Sequence, residues 1–305
     1  MNESHEISVL EMGINHFGEM RKLSAAASPD ICVITNIGVA HLEFLKTQKG
    51  ILQEKTQMFQ DMKSGGSIIL NGDDPLLSAL GPVKGAVPLF YGTSPEHCQV
   101  YASDLKPLGL EGTSCTIHLP SGSFDCIVPT PGAHMVSNAL AGAAVGYKLG
   151  LTLAEIKAGI ENLPFIPGRN HIIRTEKLII LDDCYNANPV SMKASIDVLN
   201  MAIGRKVAIL GDMGELGADT KALHRSVGEY AAEQGIDLVC AIGKLSGEMA
   251  DGVRSAHSHT EALWFPTKAD FLSHAQNVIK NGDNILIKAS HGMEFPELVD
   301  ALRKF

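Results

Sequence analysis

Short apolar runs rich in β-branched residues alternate along this chain with longer stretches of helical period, and that alternation leaves few architectures open. It is the signature of βα units wound around a parallel sheet. In the first half, strands are expected at residues 7–10, 31–35 and 67–70, with helices near 17–27 and 49–61. From residue 87 to 128 the texture changes to short strands and turns, among them Pro120–Ser121–Gly122–Ser123, which reads as a small antiparallel extension. Two helices follow, near 134–149 and 153–162, the first rich in Ala and Gly. The segment LPFIPGR (163–169) carries two prolines and a glycine and is the best domain boundary. Beyond it, strands at 178–181, 206–210, 238–242, 262–265 and 284–287 alternate with five helical stretches. The expected fold is therefore α/β: a domain at 1–166 with a parallel sheet and an antiparallel extension, then a Rossmann-like domain at 167–305. No G-x-G-x-x-G turn opens any of these units, which disfavours a dinucleotide dehydrogenase.

Composition narrows the partners. A formal net charge of −9 argues against a nucleic-acid backbone, which needs concentrated Lys and Arg. No run of 18 apolar residues is present, so no membrane span is expected, and residues 1–10 lack the pattern of a signal peptide. Six scattered cysteines, none in a C-x-x-C pair, read as buried free thiols of a reducing compartment. A cytoplasmic protein is the expectation.

In open parallel sheets ligands bind at the carboxyl ends of strands. The informative polar residues sit there: Glu11 after the first run, Asn36 and His41 after the second, Asp182 to Asn188 after the 178–181 strand, Asp212 after 206–210, and Ser290 and His291 after 284–288. Each has a plain alternative. Asp183, or Asn188 before Pro189, can be a helix N-cap and nothing more. Taken together, five polar strand ends hold more Asn, Asp and His than capping needs, and they mark the ligand side of both sheets.

Seven segments then occur in a recognisable order: EMGINHFGE (11–19), TNIGVAHLE (35–43), EKTQMF (54–59), NGDDP (71–75), PGR (167–169), DDCYNANPVSM (182–192) and GDMGELG (211–217). With these the chain resembles the Mur ligases over nearly its whole length. The last two stretches point to the branch that adds D-alanyl-D-alanine to a UDP-N-acetylmuramoyl-tripeptide. The resemblance implies a central ATPase domain followed by a Rossmann-like domain, and a reaction in peptidoglycan precursor synthesis. ATP and Mg2+ are used, ATP phosphorylates the substrate carboxylate, and the incoming amine attacks the acyl phosphate. Phosphoryl transfer between anions depends on metal and positive donors more than on covalent chemistry.

Residue by residue, the resemblance puts Glu11 and His41 at metal-ligand positions and Lys55 at the lysine that is carbamylated and helps hold a second metal. Without it, His41 would not be read as a magnesium ligand, since that ion prefers oxygen. Lys55 beside Glu54 would be read as a solvated helix face. Asn138 matches an adenine-contacting position, Arg169 the phosphate-binding arginine, and Asp183 the ribose contact; a fork suits phosphate. Tyr185, Asn186, Asn188, Asp212 and Ser290 match the side facing the dipeptide. Lys55, His41 and Arg169 are the implied catalytic set.

Three departures stand out. Cys184 occupies a position where the family usually has Ser, Met135 one where Asn is expected, and KASHGM (288–293) one where K-G-S-R-x-M is usual. His291 thus lacks the fixed charge of the usual arginine. The G-T-N-G-K-T phosphate loop is absent from the 305 residues. The UDP-sugar domain and the first βα unit of the ATPase domain are accordingly expected to lie outside this chain, in a segment acting in trans if the ligase is split. The alternative is a non-catalytic nucleotide- or peptide-binding module.

Overall fold

The structure, a computed structural model, describes residues 4–38 and 42–305. The chain divides into two compact units, residues 1–103 with 116–125 and 137–157, and residues 104–115 with 126–136 and 158–305.

A six-stranded sheet carries β1 (Ile31–Ile34), β2 (Ser67–Asn71), β3 (Leu89–Gly92), β4 (Val100–Pro107), β5 (Thr113–Leu119) and β6 (Gly122–Val128), adjacent in chain order. The first four pair in parallel. The expected antiparallel extension is thus the outer part of one continuous sheet. Its β5–β6 link is Pro120–Ser121 alone, a connection short enough only for an antiparallel hairpin. Helices α1 (Glu19–Ala27), α2 (Leu42–Leu45), α3 (Gln48–Lys55), α4 (Ala133–Lys148) and α5 (Leu153–Glu161) belong to this half of the chain. The core beside β1 and β2 is built from Cys32, Ile34, Ile68 and Leu70 with Met20, Leu45, Ile51, Met58 and Phe59.

One sequence expectation fails. Residues 7–10 form no strand, and Ile7, Val9 and Leu10 are exposed. Their β propensity is real, but a strand exists only in a ladder, and β1 lies at the sheet edge with β2 as its partner.

The second sheet runs β11 (Glu261–Phe265), β10 (Leu238–Ile242), β9 (Lys206–Gly211), β12 (Asn284–Lys288), β8 (Ile179–Asp182) and β7 (His171–Arg174) in spatial order. All its pairs are parallel except β7 on β8, an edge strand with no forecast in the sequence. Strict alternation sorts its side chains. Val207, Ile209, Ile285 and Ile287 enter one core cluster, while Ala208, Leu210 and Leu286 enter the other. The helices are α6 (Pro189–Asn200), α7 (Thr220–Glu233), α8 (Gly247–Ser255), α9 (Lys268–Val278) and α10 (Pro296–Leu302). Among the described residues no helix is long and apolar enough to cross a membrane.

All six cysteines are free and buried. Burial pushes the Cys32 thiol up to about 11 and the Cys240 thiol up to about 12. Thiolate, the reactive form, is therefore suppressed. A disulfide-exchange reagent should titrate essentially none of the six in the folded chain within minutes and all six in guanidinium. Rapid native labelling of even one would show that the segment around it opens locally.

Candidate functional site

In the first unit, polar groups gather at the carboxyl ends of β1 and β2. The Lys55 ammonium, at the end of α3, donates to the Asn36 carbonyl at 2.9 Å. Its proton affinity is lowered by burial and partly restored by Asp74. Asp74 is the organiser of this corner. One carboxylate oxygen accepts from the Ile37 N–H at 2.6 Å, and the other from Leu76 and Leu77 at 2.9 and 3.1 Å. Asn71 completes the link by donating to the Thr35 carbonyl at 2.9 Å. Glu54, the neighbour of Lys55, is buried and accepts from the Met20 N–H at 2.9 Å. Its carboxylate caps the start of α1, where free N–H groups need an acceptor.

Glu11 is exposed, as is Asn138 on α4. His41 lies outside the described residues. Among those described, no three His, Cys, Asp or Glu side chains gather as a metal site.

In the second unit, the strand order β9–β12–β8 sets the carboxyl ends of three strands side by side, with Leu210 opposite Lys288 and Ile287 opposite Asp182. Asp183 is the hub. Its Oδ2 accepts from the Lys288 Nζ at 2.6 Å and from the Ser195 hydroxyl at 2.6 Å, while Oδ1 accepts from the Asn170 N–H at 3.0 Å. Lys288 also donates to the Asn186 carbonyl at 3.0 Å. Oδ1 is the less committed of the two oxygens and the one able to take a further donor.

Arg169 is exposed, and its guanidinium lies 4.0 Å from the centre of the Tyr185 ring. The Tyr185 ring in turn faces His291, with centroids 5.6 Å apart. Asn188 is an N-cap: it accepts from the Ser191 N–H at 2.9 Å, and the Ser191 hydroxyl accepts from the Asn188 N–H at 3.0 Å. This is the plain alternative weighed for it. The Asn186 side chain accepts from the Ala187 N–H.

Asp212 and Ser290 stitch loops together. Asp212 Oδ1 accepts from the Leu245 and Ser246 N–H groups and the Ser246 hydroxyl, at 3.1, 2.7 and 2.5 Å. A Cβ on Gly243 would meet this carboxylate at 2.5 Å, so the close approach requires glycine. The Ser290 hydroxyl accepts from the Gly214 N–H at 2.8 Å.

His224, absent from the sequence expectations, locks the same loop from below. Its Nε2 accepts from the Met213 N–H at 2.9 Å and its Nδ1 contacts the Thr220 carbonyl at 2.7 Å. These partners require a neutral ring with the proton on Nδ1. Burial lowers its pKa from 6.5, against the weaker raising effects of Thr220, Asp212 and Glu248. Below pH 6.5 the unfolded histidine takes up a proton that the folded one refuses. Stability is thus full above 6.5 and falls as pH drops toward the folded value, by up to about 1.4 kcal/mol per unit. Urea unfolding at pH 7.5 and 5.5 should show this loss, and H224N should flatten it. An equal slope in H224N would assign the acid sensitivity to other groups.

Ser195 and His224 escaped the sequence reading because each lies a turn or more inside a helix, where nothing in the local pattern announces a partner. Asp182 and Lys288 were in plain view, but their burial was not.

Two family models match: the Mur ligase middle domain over residues 1–146 and the Mur ligase, glutamate ligase domain over 168–291. The UDP-N-acetylmuramoyl-tripeptide–D-alanyl-D-alanine ligase of Escherichia coli K12 is 34% identical over 308 residues, covering 100% of this chain and 67% of that protein. The ligase of the same name from Bacillus subtilis 168 is 35% identical over 305 residues, covering 99% of this chain and 65% of that protein. A crystal structure of MurF from Acinetobacter baumannii superposes with a TM-score of 0.90 at 29% identity, covering 100% of this chain and 66% of that one. The chain spans about two thirds of the length of these relatives. Likeness of this extent, continuous through both sheets and all seven motif segments, shows that the chain belongs to the Mur ligase family.

Proposed function

We propose that this chain carries the nucleotide-handling and amine-accepting part of a cytoplasmic, ATP-dependent ligase that adds D-alanyl-D-alanine to a UDP-N-acetylmuramoyl-tripeptide, with the two domains meeting at 166/167. The observation that carries the reading is the identity of about one third, over the whole chain, to two ligases of that name.

The residues suit their parts. Arg169, exposed and stacked on Tyr185, presents a fixed fork to a phosphate. Asp183 Oδ1 retains an acceptor position for a ribose hydroxyl, and Asn138 lies exposed on α4. Tyr185, Asn186 and Ser290 stand with Asp183 at adjoining strand ends, the side on which a dipeptide amine would arrive. Asp212 and Asn188 act there by shaping the backbone, since their side chains are already engaged.

Mg2+, held by Glu11, His41 and a carbamylated Lys55, would supply positive charge to the transferring phosphoryl group. The fit rests on Lys55. Only a neutral amine adds to carbon dioxide, forming a carbamate and releasing one proton, and burial already disfavours the ammonium here. The carbamate turns a nitrogen donor into the oxygen donor magnesium prefers.

A second reading is favoured by the absence of GTNGKT from the 305 residues: a nucleotide- or peptide-binding module that does not turn over by itself. Without that loop's amides and lysine the triphosphate loses much of its positive cradle. Phosphate release should be measured with UDP-muramoyl-tripeptide, D-Ala-D-Ala and ATP·Mg2+, with and without a polypeptide supplying the loop in trans. Turnover only with the added segment supports the ligase; no turnover in either case supports the binding module. Robust turnover by this chain alone would mean that another element holds the phosphates.

A further inference from the structure

We propose that Asp182 is the positioning residue for the Arg169 guanidinium, an inference that rests on reading Arg169 as an anion-binding side chain. Asp182 ends β8 and lies opposite His171, the first residue of β7, so the segment before β7 passes directly over its carboxylate. Oδ2 accepts from the Gly168 N–H at 2.9 Å and Oδ1 from the Cys184 thiol at 2.9 Å. Asp182 is only 5% exposed.

Its neighbour completes a clamp. Asp183 Oδ1 holds the Asn170 N–H at 3.0 Å, and the Asn170 amide donates to the Pro131 carbonyl at 2.6 Å. Residue 169 is thus bracketed by two residues whose N–H groups end on consecutive carboxylates. Both flanking residues are left-handed, Gly168 at φ +75 and Asn170 at φ +50, a turn of the backbone that glycine makes at no steric cost and asparagine tolerates. The Tyr185 N–H donates to the Gly168 carbonyl at 3.0 Å, and the Tyr185 ring lies beneath the fork. Backbone and ring are therefore fixed to each other through Gly168, and the guanidinium rests 4.0 Å from the ring centre.

A buried carboxylate is costly unless its donors justify it. The donors here are one glycine N–H and one thiol, a weak partner whose own ionisation burial and Asp182 oppose. Holding Gly168 is the effect of Asp182 that reaches the surface. It does so through Arg169.

The test uses the full chain and needs no ligand. Phenylglyoxal modification of Arg169 is followed by mass spectrometry, with exposed Arg254 and Arg303 as internal references. Asp182→Ala should raise the Arg169 rate relative to the references by about threefold, as the stacked contact loosens. Asp182→Asn keeps an acceptor for Gly168 and should stay within about twofold of wild type. If Asp182→Ala melts, all arginines will react together, and Asp182→Glu, which keeps the charge but displaces it, is read instead with the same expectation. An unchanged Arg169 rate in a folded Ala or Glu variant overturns the proposal, as does a full loss of protection in Asp182→Asn. Titration with ADP·Mg2+ separates the underlying reading. If Arg169→Ala leaves ADP binding unchanged, the nucleotide role of Arg169 fails, while the positioning result stands on the reactivity data.

Discussion

Replacing Lys288 by methionine should lower the unfolding free energy by about 3–5 kcal/mol, because it strands a carboxylate in the floor of the site. The Lys288 side chain is 3% exposed and that of Asp183 19%, with 2.6 Å between Nζ and Oδ2. The ammonium also satisfies the Asn186 and Asp183 carbonyls, so the substitution empties three acceptor positions at once. Asp183 would keep the Ser195 and Asn170 donors, which places the loss toward the lower end of the range. Adding Asp183→Asn to K288M removes the stranded charge and should recover a substantial part of the loss. Urea unfolding of wild type and the two variants at neutral pH decides the matter. A K288M loss under about 1 kcal/mol would show that water reaches the pair and that it behaves as a surface bridge.

Phe295→Ala should cost about 3–5 kcal/mol, the range for removing a buried aromatic ring. Phe295 is fully buried at the start of α10, in the cluster that includes Ile209, Ile287 and Ala289. Its ring lies so close beneath Gly211 that a Cβ there would meet Phe295 Cζ at 2.5 Å and the Ala289 Cβ at 2.6 Å. The ring therefore supports the ends of β9 and β12 just where Asp212 and Ser290 leave the sheet. Phe295→Leu keeps most of the volume and should cost under about 1.5 kcal/mol. Gly211→Ala overfills the same space, and combining it with Phe295→Leu should be less damaging than the sum of the two. Thermal or denaturant unfolding of the set checks this. Simple additivity would mean that the ring and the strand end are not in contact in solution.

Much of the architecture was legible in the residues because it depends on local pattern. Strand 238–242 and helix 220–233 announce themselves through apolar runs and helical period. The turn at 120–121 does so through its Pro and Gly neighbours. Residues 7–10 carried the same β signal and form no strand, because pairing is a property of neighbours and not of the segment. Edge strand β7 was missed for the converse reason: four residues after a Pro-rich linker hold too little pattern, and β8 supplies the ladder.

By itself the sequence determined the α/β class and which strand ends carry polar groups, since these follow from period and residue order, and its motif segments carried the resemblance to the family. Only the tertiary structure decided what those groups do. Asn188 turned out to cap α6, and Asp212 to hold the Leu245–Ser246 turn. Glu54 turned out to cap the start of α1, and Asp182 went from one letter of a motif to the anchor of Gly168. The physical reason is that a carboxylate or amide is satisfied by whichever donors the fold brings within about 3 Å of it. Those donors come from residues such as Lys288 and Asp183, which lie on separate strands and meet only when the sheet is assembled.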